Sequence, residues 1–245
     1  MLKKREQGGV SFELKVPHFR LERGQFVAVV GASGCGKSTL LDILALVLRP
    51  NQCQEFSIYA SGNQVNLKTL WNKDQESSLA EIRRNLFGYI LQTGGLLPFL
   101  TVKKNIYLPI KIKKSGYSDE KIIQLAQRMG VENLLSKKPQ FLSGGQRQRV
   151  AILRAMAHQP AIILADEPTA AVDKENARII VQNFHTLAKE AGTTIVMVTH
   201  DHDLVAELAD TTFTFKVTHE SETLTRSVCF LKNYDETQNK RFSNY

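Results

Sequence analysis

The stretch Gly31-Ala32-Ser33-Gly34-Cys35-Gly36-Lys37-Ser38-Thr39 constrains this chain more than any other. It separates two apolar runs, Phe26-Val27-Ala28-Val29-Val30 before it and Leu40-Leu41-Asp42-Ile43-Leu44-Ala45-Leu46 after it, so it reads strand, glycine loop, helix. The spacing G-x-x-x-x-G-K-[ST] turns the backbone so that successive N–H groups face inward, and the new helix adds its positive end. Such a loop cradles the phosphates of a nucleotide. The candidate binding residues are Gly31, Ser33, Gly34, Cys35, Gly36, Lys37, Ser38 and Thr39, with Lys37 reaching the β- and γ-phosphates and the Ser38 hydroxyl completing the shell of a Mg²⁺. A glycine turn that binds nothing is the plain alternative. In a chain this long that pattern arises by chance about once in a hundred, and the flanking strand and helix lower the figure further.

With 245 residues, 42% hydrophobic and 23% charged, the chain has the composition of an ordinary globular protein and can bury a full core. Asp42 and Arg49 interrupt the longest apolar stretch well short of the ~18 residues of a membrane span. The start, Met1-Leu2-Lys3-Lys4-Arg5-Glu6-Gln7, leads into no signal-peptide core. Cys35, Cys53 and Cys229 show no metal-ligand spacing, and a reducing, cytosolic location follows. The net charge of +8 suits an anionic partner or is unfocused surface charge. Its basic residues are read as spread along the chain, with a local cluster at Lys103, Lys104, Lys111, Lys113 and Lys114.

Phe12, Leu14 and Val16 alternate with polar residues as a half-buried strand, and Phe19 with Leu21 resume the alternation. The helix from Lys37 is expected to end near Arg49, because Pro50 disfavours helical geometry before it. Residues 51–70 read as short strands and loops, 75–85 as a polar helix, and 87–91 as a strand ending at Gln92. An unusually apolar loop follows, Gly94-Gly95-Leu96-Leu97-Pro98-Phe99-Leu100. Ser118 caps a helix whose spaced residues are Ile122, Ile123, Leu125, Ala126 and Met129, and a short helix falls around 131–135. Next come a helix over 147–158, a buried strand over 161–165 ending in Asp166-Glu167, and a helix over 174–190 with Ile179, Ile180, Phe184 and Leu187 inward. A third buried strand, 194–198, ends at Thr199-His200-Asp201. Phe213, Phe215 and Val217 then pair with a return strand at Val228 and Phe230, and the tail from Asn233 is loose.

Strand-then-helix units of this kind make a mostly parallel sheet covered on both faces, with ligands beyond the carboxyl ends of the strands. The glycine loop, Gln92, Asp166-Glu167 and His200 all fall at such ends. A magnesium nucleotide needs a carboxylate near the metal, which Asp166 supplies directly or through water. Its hydrolysis needs a base for the attacking water, which is the role for Glu167. His200 either orients the γ-phosphate or is an ordinary strand-end histidine, and Gln92 by itself is weak. His18, His158, His185, His202 and His219 show no partner pattern and read as structural.

The run Leu142-Ser143-Gly144-Gly145-Gln146-Arg147-Gln148-Arg149-Val150-Ala151, taken with Ile163-Leu164-Ala165-Asp166-Glu167-Pro168-Thr169, resembles the ATP-binding cassette (ABC) ATPases. The glycine loop as Walker A, Gln92 as Q-loop, Ser143 to Gln146 as signature, Asp166 as Walker B, Asp173 as D-loop and His200 as H-loop occur in family order over roughly residues 10–210. The resemblance implies an α/β P-loop NTPase with a RecA-like sheet, an antiparallel β subdomain and a helical subdomain. It divides one nucleotide-binding domain into an ATPase core (1–91 and 146–232), a helical signature part (92–145) and a tail (233–245). It implies an ATPase using ATP and Mg²⁺, with Glu167, His200 and Gln92 catalytic and Ser38, Gln92 and Asp166 around the metal. Two cassettes would sandwich two ATP molecules head to tail, so Ser143, Gly145 and Gln146 would meet the nucleotide held by the other copy.

Leu97-Pro98 followed by Thr101-Val102-Lys103-Lys104-Asn105-Ile106-Tyr107-Leu108-Pro109 is similar to the LolD- and MacB-type cassettes of lipoprotein release and macrolide efflux. That branch implies export or extraction, membrane subunits docking between Gln92 and Leu108, and a cytoplasmic position at the inner face of the membrane. Otherwise the apolar loop packs within its own helices. The aromatic that stacks on adenine lies further upstream in most relatives, and Phe12 is the stand-in here. The D-loop, Ala170-Ala171-Val172-Asp173, keeps its Asp without the common serine. Cys35, lying in the phosphate loop, is expected to be open to alkylation that ATP would prevent. A DNA-repair or chromosome-type ABC ATPase is the rival reading. About a hundred residues separate Walker A from the signature, with neither heptads nor Cys clusters, so no nucleic acid partner is expected.

Overall fold

The computed structural model describes residues 1–7, 9–60, 62–114 and 119–232. The Ser118 cap and the tail 233–245 lie outside them. The chain opens with β1 (Leu2–Gln7) and β2 (Val10–Lys15), an antiparallel hairpin. The buried strand β3 (Phe26–Val30) leads through the glycine loop into α1 (Lys37–Leu44). A small ribbon of β4 (Ser57–Ala60) and β5 (Asn63–Asn66) precedes α2 (Leu67–Asn72), α3 (Glu76–Leu86) and β6 (Phe87–Ile90). Then come α4 (Val102–Lys113), α5 (Asp119–Arg128), two 3₁₀ turns (Glu132–Leu134 and Pro139–Phe141) and α6 (Gly144–Met156). The chain finishes with β7 (Ile162–Asp166), α7 (Lys174–Ala191), β8 (Thr194–Thr199), α8 (His202–Val205), β9 (Thr211–Ser221) and β10 (Leu224–Leu231).

Eight strands form one sheet in the order β1-β2-β10-β9-β3-β8-β7-β6. From β9 to β6 every neighbour is parallel, and β10 also runs parallel to β2; β1/β2 and β9/β10 are antiparallel. This is the α/β P-loop NTPase architecture. The central strands β3 and β8 are buried on both faces, as continuous runs of Val, Ile and Ala require. One apolar cluster joins Ala28 of β3 and Ile163 of β7 to Ile106 of α4 and Ile122 of α5.

Several local expectations change. Helix α1 stops at Leu44, not near Arg49, because Leu46 turns left-handed (φ 61°). That turn sends its side chain into a separate cluster with Leu67, Trp71 and Leu79, while Arg83 donates to its carbonyl at 2.7 Å. Burial elsewhere ends this helix before Pro50 does. Residues 67–72 are helical because the Asn66 side chain accepts from Thr69 N at 3.0 Å and caps the turn. Phe19 and Leu21 continue no strand; Phe19 stacks on Phe213 with ring centroids 4.3 Å apart. Helix α6 starts three residues early, since Ser143 and Gln146 close a capping box. Ile123 and Ile179 face solvent. In α7 the buried stripe is Ala177, Ile180, Val181, Phe184 and Ala188, and Ile179 sits a 100° step away from Ile180.

Candidate functional site

The glycine loop is tied back on itself. Lys37, itself buried, donates from Nζ to the carbonyls of Gly31 (2.7 Å) and Ala32 (2.9 Å), tying the helix start back to the loop entrance. Gly36, with φ 102°, caps α1, and a Cβ there would lie 3.1 Å from Cζ of Phe12. Only glycine takes that backbone and leaves the ring its place. Ser33, Gly34, Gly36, Lys37, Ser38 and Thr39 line a cleft of about 910 Å³. Gly31 and Cys35 stand behind it. A Cβ on Gly31 would fall 2.7 Å from Sγ of Cys35, and the Cys35 carbonyl accepts from Ser227 Oγ at 2.6 Å.

The strand ends β6, β7 and β8 bring Gln92, Asp166, Glu167 and His200 to the same cleft. Glu167 is left-handed (φ 46°), a strained backbone for a residue with a side chain, and its N–H donates to Val198 O at 3.0 Å. That turn aims the carboxylate across the cleft: Oε1 lies 3.7 Å from Lys37 Nζ, and Oε2 accepts from His200 Nδ1 at 2.9 Å. The Glu167 side chain is 11% exposed and His200 is 68% exposed, so the base candidate is sheltered and its histidine faces outward.

Burial pushes the Asp166 carboxyl above its usual range; the Ser38 hydroxyl bonded to it works against that, and the nearby Glu167 and Asp42 add to it. A carboxyl raised on folding stabilises when protonated, and that contribution is lost as pH rises through its raised pKa. At neutral pH the ionised Asp166 is therefore a local cost that a cation would relieve. The oxygen donors present, Ser38 hydroxyl, Asp166 carboxylate and Gln92 amide, are of the type a hard divalent ion takes. Asp166→Asn is expected to raise the melting temperature of the nucleotide-free chain and to remove turnover, as scanning calorimetry beside a phosphate-release assay would show. A lower melting temperature would refute the charge cost.

Ser143, Gly145 and Gln146 lie apart from this cleft, at the start of α6. They pack beside the turn after β7: a Cβ on Gly145 would be 3.3 Å from Cγ1 of Val172, and one on Gly144 would be 3.4 Å from the Ala171 carbonyl. Two lining residues escaped the sequence, Arg5 and Val10. Both belong to the hairpin β1–β2, where Arg5 pairs across to Phe12; Leu2-Lys3-Lys4-Arg5 lacks the alternation that marks a strand. Phe12 lines the cleft as well.

The expectation of an open Cys35 thiol does not hold. Cys35 is 2% exposed, and burial pushes its thiol upward, which lowers the reactive thiolate fraction. Cys229 is wholly buried, with its thiol pushed up to about 12 by burial, so Cys53 is the thiol with access to solvent.

Around the apolar loop, Asn105 Nδ2 donates to the carbonyls of Leu97 (3.1 Å), Leu100 (3.3 Å) and Thr101 (3.1 Å), and Arg154 donates to Gly95 O at 2.7 Å. The loop backbone is thus fastened to α4 and α6, while Phe99 points out, 70% exposed. No helix among the described residues is long and apolar enough to cross a membrane.

Residues 14–170 match the family model described as ABC transporter. The chain is 40% identical over 190 residues to the bacitracin export ATP-binding protein BceA of Halalkalibacterium halodurans, covering 77% of this chain and 72% of that one. It is 41% identical over 197 residues to the lipoprotein-releasing system ATP-binding protein LolD of Idiomarina loihiensis, covering 80% and 82%. Among solved structures, a dimeric post-hydrolysis state of the ATP-binding cassette MJ0796 of Methanocaldococcus jannaschii, bound to ADP and Pi, aligns with a TM-score of 0.74 and 34% identity over 87% of this chain and 90% of the other.

Proposed function

This chain belongs to the ABC transporter family as an ATP-binding, ATP-hydrolysing subunit, and from that premise we propose that its cleft is one half of a composite site completed by a second cassette. The observation that carries the reading is the separation of the two glycine motifs. The glycine loop lines the cleft with Asp166, Glu167 and His200, whereas the signature at Ser143, Gly145 and Gln146 begins α6 outside it, with Gly144 and Gly145 half-buried. The N–H groups of a helix start suit an anion, here the γ-phosphate carried by the partner copy. The related cassette MJ0796 is dimeric in two solved structures, bound in one of them to ADP and Pi.

Each residue has a part. Backbone N–H groups of the loop and Lys37 bind the phosphates; Phe12 and Arg5 flank the base. Ser38, Gln92 and Asp166 would hold Mg²⁺, which when bound neutralises phosphate charge. Glu167 accepts the proton of the attacking water, and His200, bonded to Glu167, keeps that carboxylate aimed. Closing and reopening the pair would drive export or extraction, as the names of BceA and LolD indicate for those proteins. Membrane subunits would dock between Gln92 and Leu108, where Phe99 stands out, placing the chain at the inner face of the membrane.

Mixing two inactive variants tests the shared site. Gly145→Asp and Lys37→Ala should each lose turnover, since each removes one side of every site. In a mixed pair, one of the two sites regains both an intact Lys37 and an intact Gly145. An equimolar mixture should then recover up to about a quarter of the wild-type rate, because half the pairs are mixed and each has one complete site. No recovery from two folded variants that still pair would refute composite sites.

A further inference from the structure

The net charge of +8 is not spread along the chain. Residues 101–150 hold eleven of the thirty-two lysines and arginines but three of the twenty-four acids, and the remaining twenty-one of each sign cancel. The whole excess therefore sits in the stretch that runs from the start of α4 into α6, with Lys114, Lys137 and Lys138 in its connections. Eight of the eleven are lysines.

The fold gathers part of this charge onto one surface. Val102 N donates to Lys137 O at 2.8 Å and Lys103 N to Leu135 O at 2.9 Å, which lays the segment carrying Lys137 and Lys138 beside the start of α4 with Lys103 and Lys104. Lys103 is paired with Asp119 at 3.3 Å. Among the described residues Lys137 and Lys138 are exposed, make no ion pair and lie outside the segment 92–108. Phe141, three residues after Lys138, is 66% exposed. Lysine ammonium groups on flexible stems with an outward aromatic ring close by in the chain match a fluid, negatively charged plane whose apolar layer lies just beneath. A duplex would favour arginine forks reading phosphates and base edges.

We propose that the part of this face outside residues 92–108, at Lys137, Lys138 and Phe141, rests on the anionic headgroups of a phospholipid bilayer, a contact the chain makes by itself and in addition to any membrane subunit. The family reading supplies the reason a bilayer is near; the contact itself follows from the placement of charge. Attraction of this kind acts within a Debye length, about 8 Å at physiological ionic strength, so the lysines must lie close to the lipid.

Sedimentation of the full chain with vesicles tests it. Vesicles containing about one-third phosphatidylglycerol should bind at least about tenfold more tightly than pure phosphatidylcholine, and high salt should release the chain. The double change Lys137→Glu with Lys138→Glu should weaken binding about tenfold or more and leave the ATPase rate of the isolated chain unchanged. The matched double change Arg20→Glu with Lys73→Glu, equal in charge but outside the patch, should bind nearly as the wild type does. Equal losses in both variants would reduce the effect to overall charge and overturn the proposal. Tighter binding to duplex DNA than to the anionic vesicles at the same salt would overturn it too. A vesicle failure with normal ATPase activity leaves the family assignment standing, so the two are separable.

Discussion

Glu167→Gln is expected to abolish ATP turnover while leaving an ATP-bound pair of cassettes that elutes as a dimer on a sizing column. The amide has nearly the shape of the carboxylate, so the strained turn at φ 46° and the contact with His200 can persist. What disappears is a proton acceptor. General-base catalysis is worth roughly 10²–10⁴ in rate, and a loss of that size leaves binding ahead of hydrolysis. Removing a negative charge 3.7 Å from Lys37 also frees that ammonium for the γ-phosphate, which favours the bound state. Normal hydrolysis by the variant would exclude Glu167 as the base.

The second large effect falls on stability. Gly88 sits in β6, and a Cβ there would lie 2.4 Å from the Ala155 carbonyl oxygen, 3.1 Å from its carbon and 3.1 Å from Cγ of Pro160. The first two are backbone atoms in the last turn of α6, so no side-chain rotation relieves the clash. Gly88→Val should therefore lever α6 away from the sheet edge at a cost of about 3 kcal/mol, near the upper end for overpacking. For a domain of this size the melting temperature should fall by roughly 6–12 °C. Turnover should fall as well, because β6 ends beside Gln92 and α6 begins at Ser143. A melting temperature within a degree of wild type would show that α6 has room to shift.

Much of the site was legible because its signals are local. A glycine loop between an apolar strand and a helix and an Asp-Glu pair at a strand end are each encoded within about ten residues. Their geometry depends on backbone chemistry that neighbours supply. The loop entrance at Gly31 and Cys35 was legible as part of the motif but not as the half that lies behind the cleft. The hairpin residue Arg5 was not legible at all, since β1 is an edge strand without alternation and earns its place only by pairing with β2. Periodicity likewise put Ile179 inside: the pattern tolerates one residue either way, and the packing surface opposite α7 does not.

From the chain alone come the glycine loop, the buried parallel strands and the order of the motifs. These follow from short-range rules: helix and strand periodicity, capping and residue chemistry. Tertiary structure alone decided that Leu46 leaves its helix for a separate cluster and that the Cys35 thiol is shut away. It also decided that Glu167 is held between Lys37 and His200, and that Ser143 and Gly145 stand outside the cleft of their own chain. Contacts between elements distant in the chain set these outcomes, from Leu46 with Leu67 to Glu167 with Lys37 and Cys35 with Ser227, and such contacts are chosen by how the whole core packs.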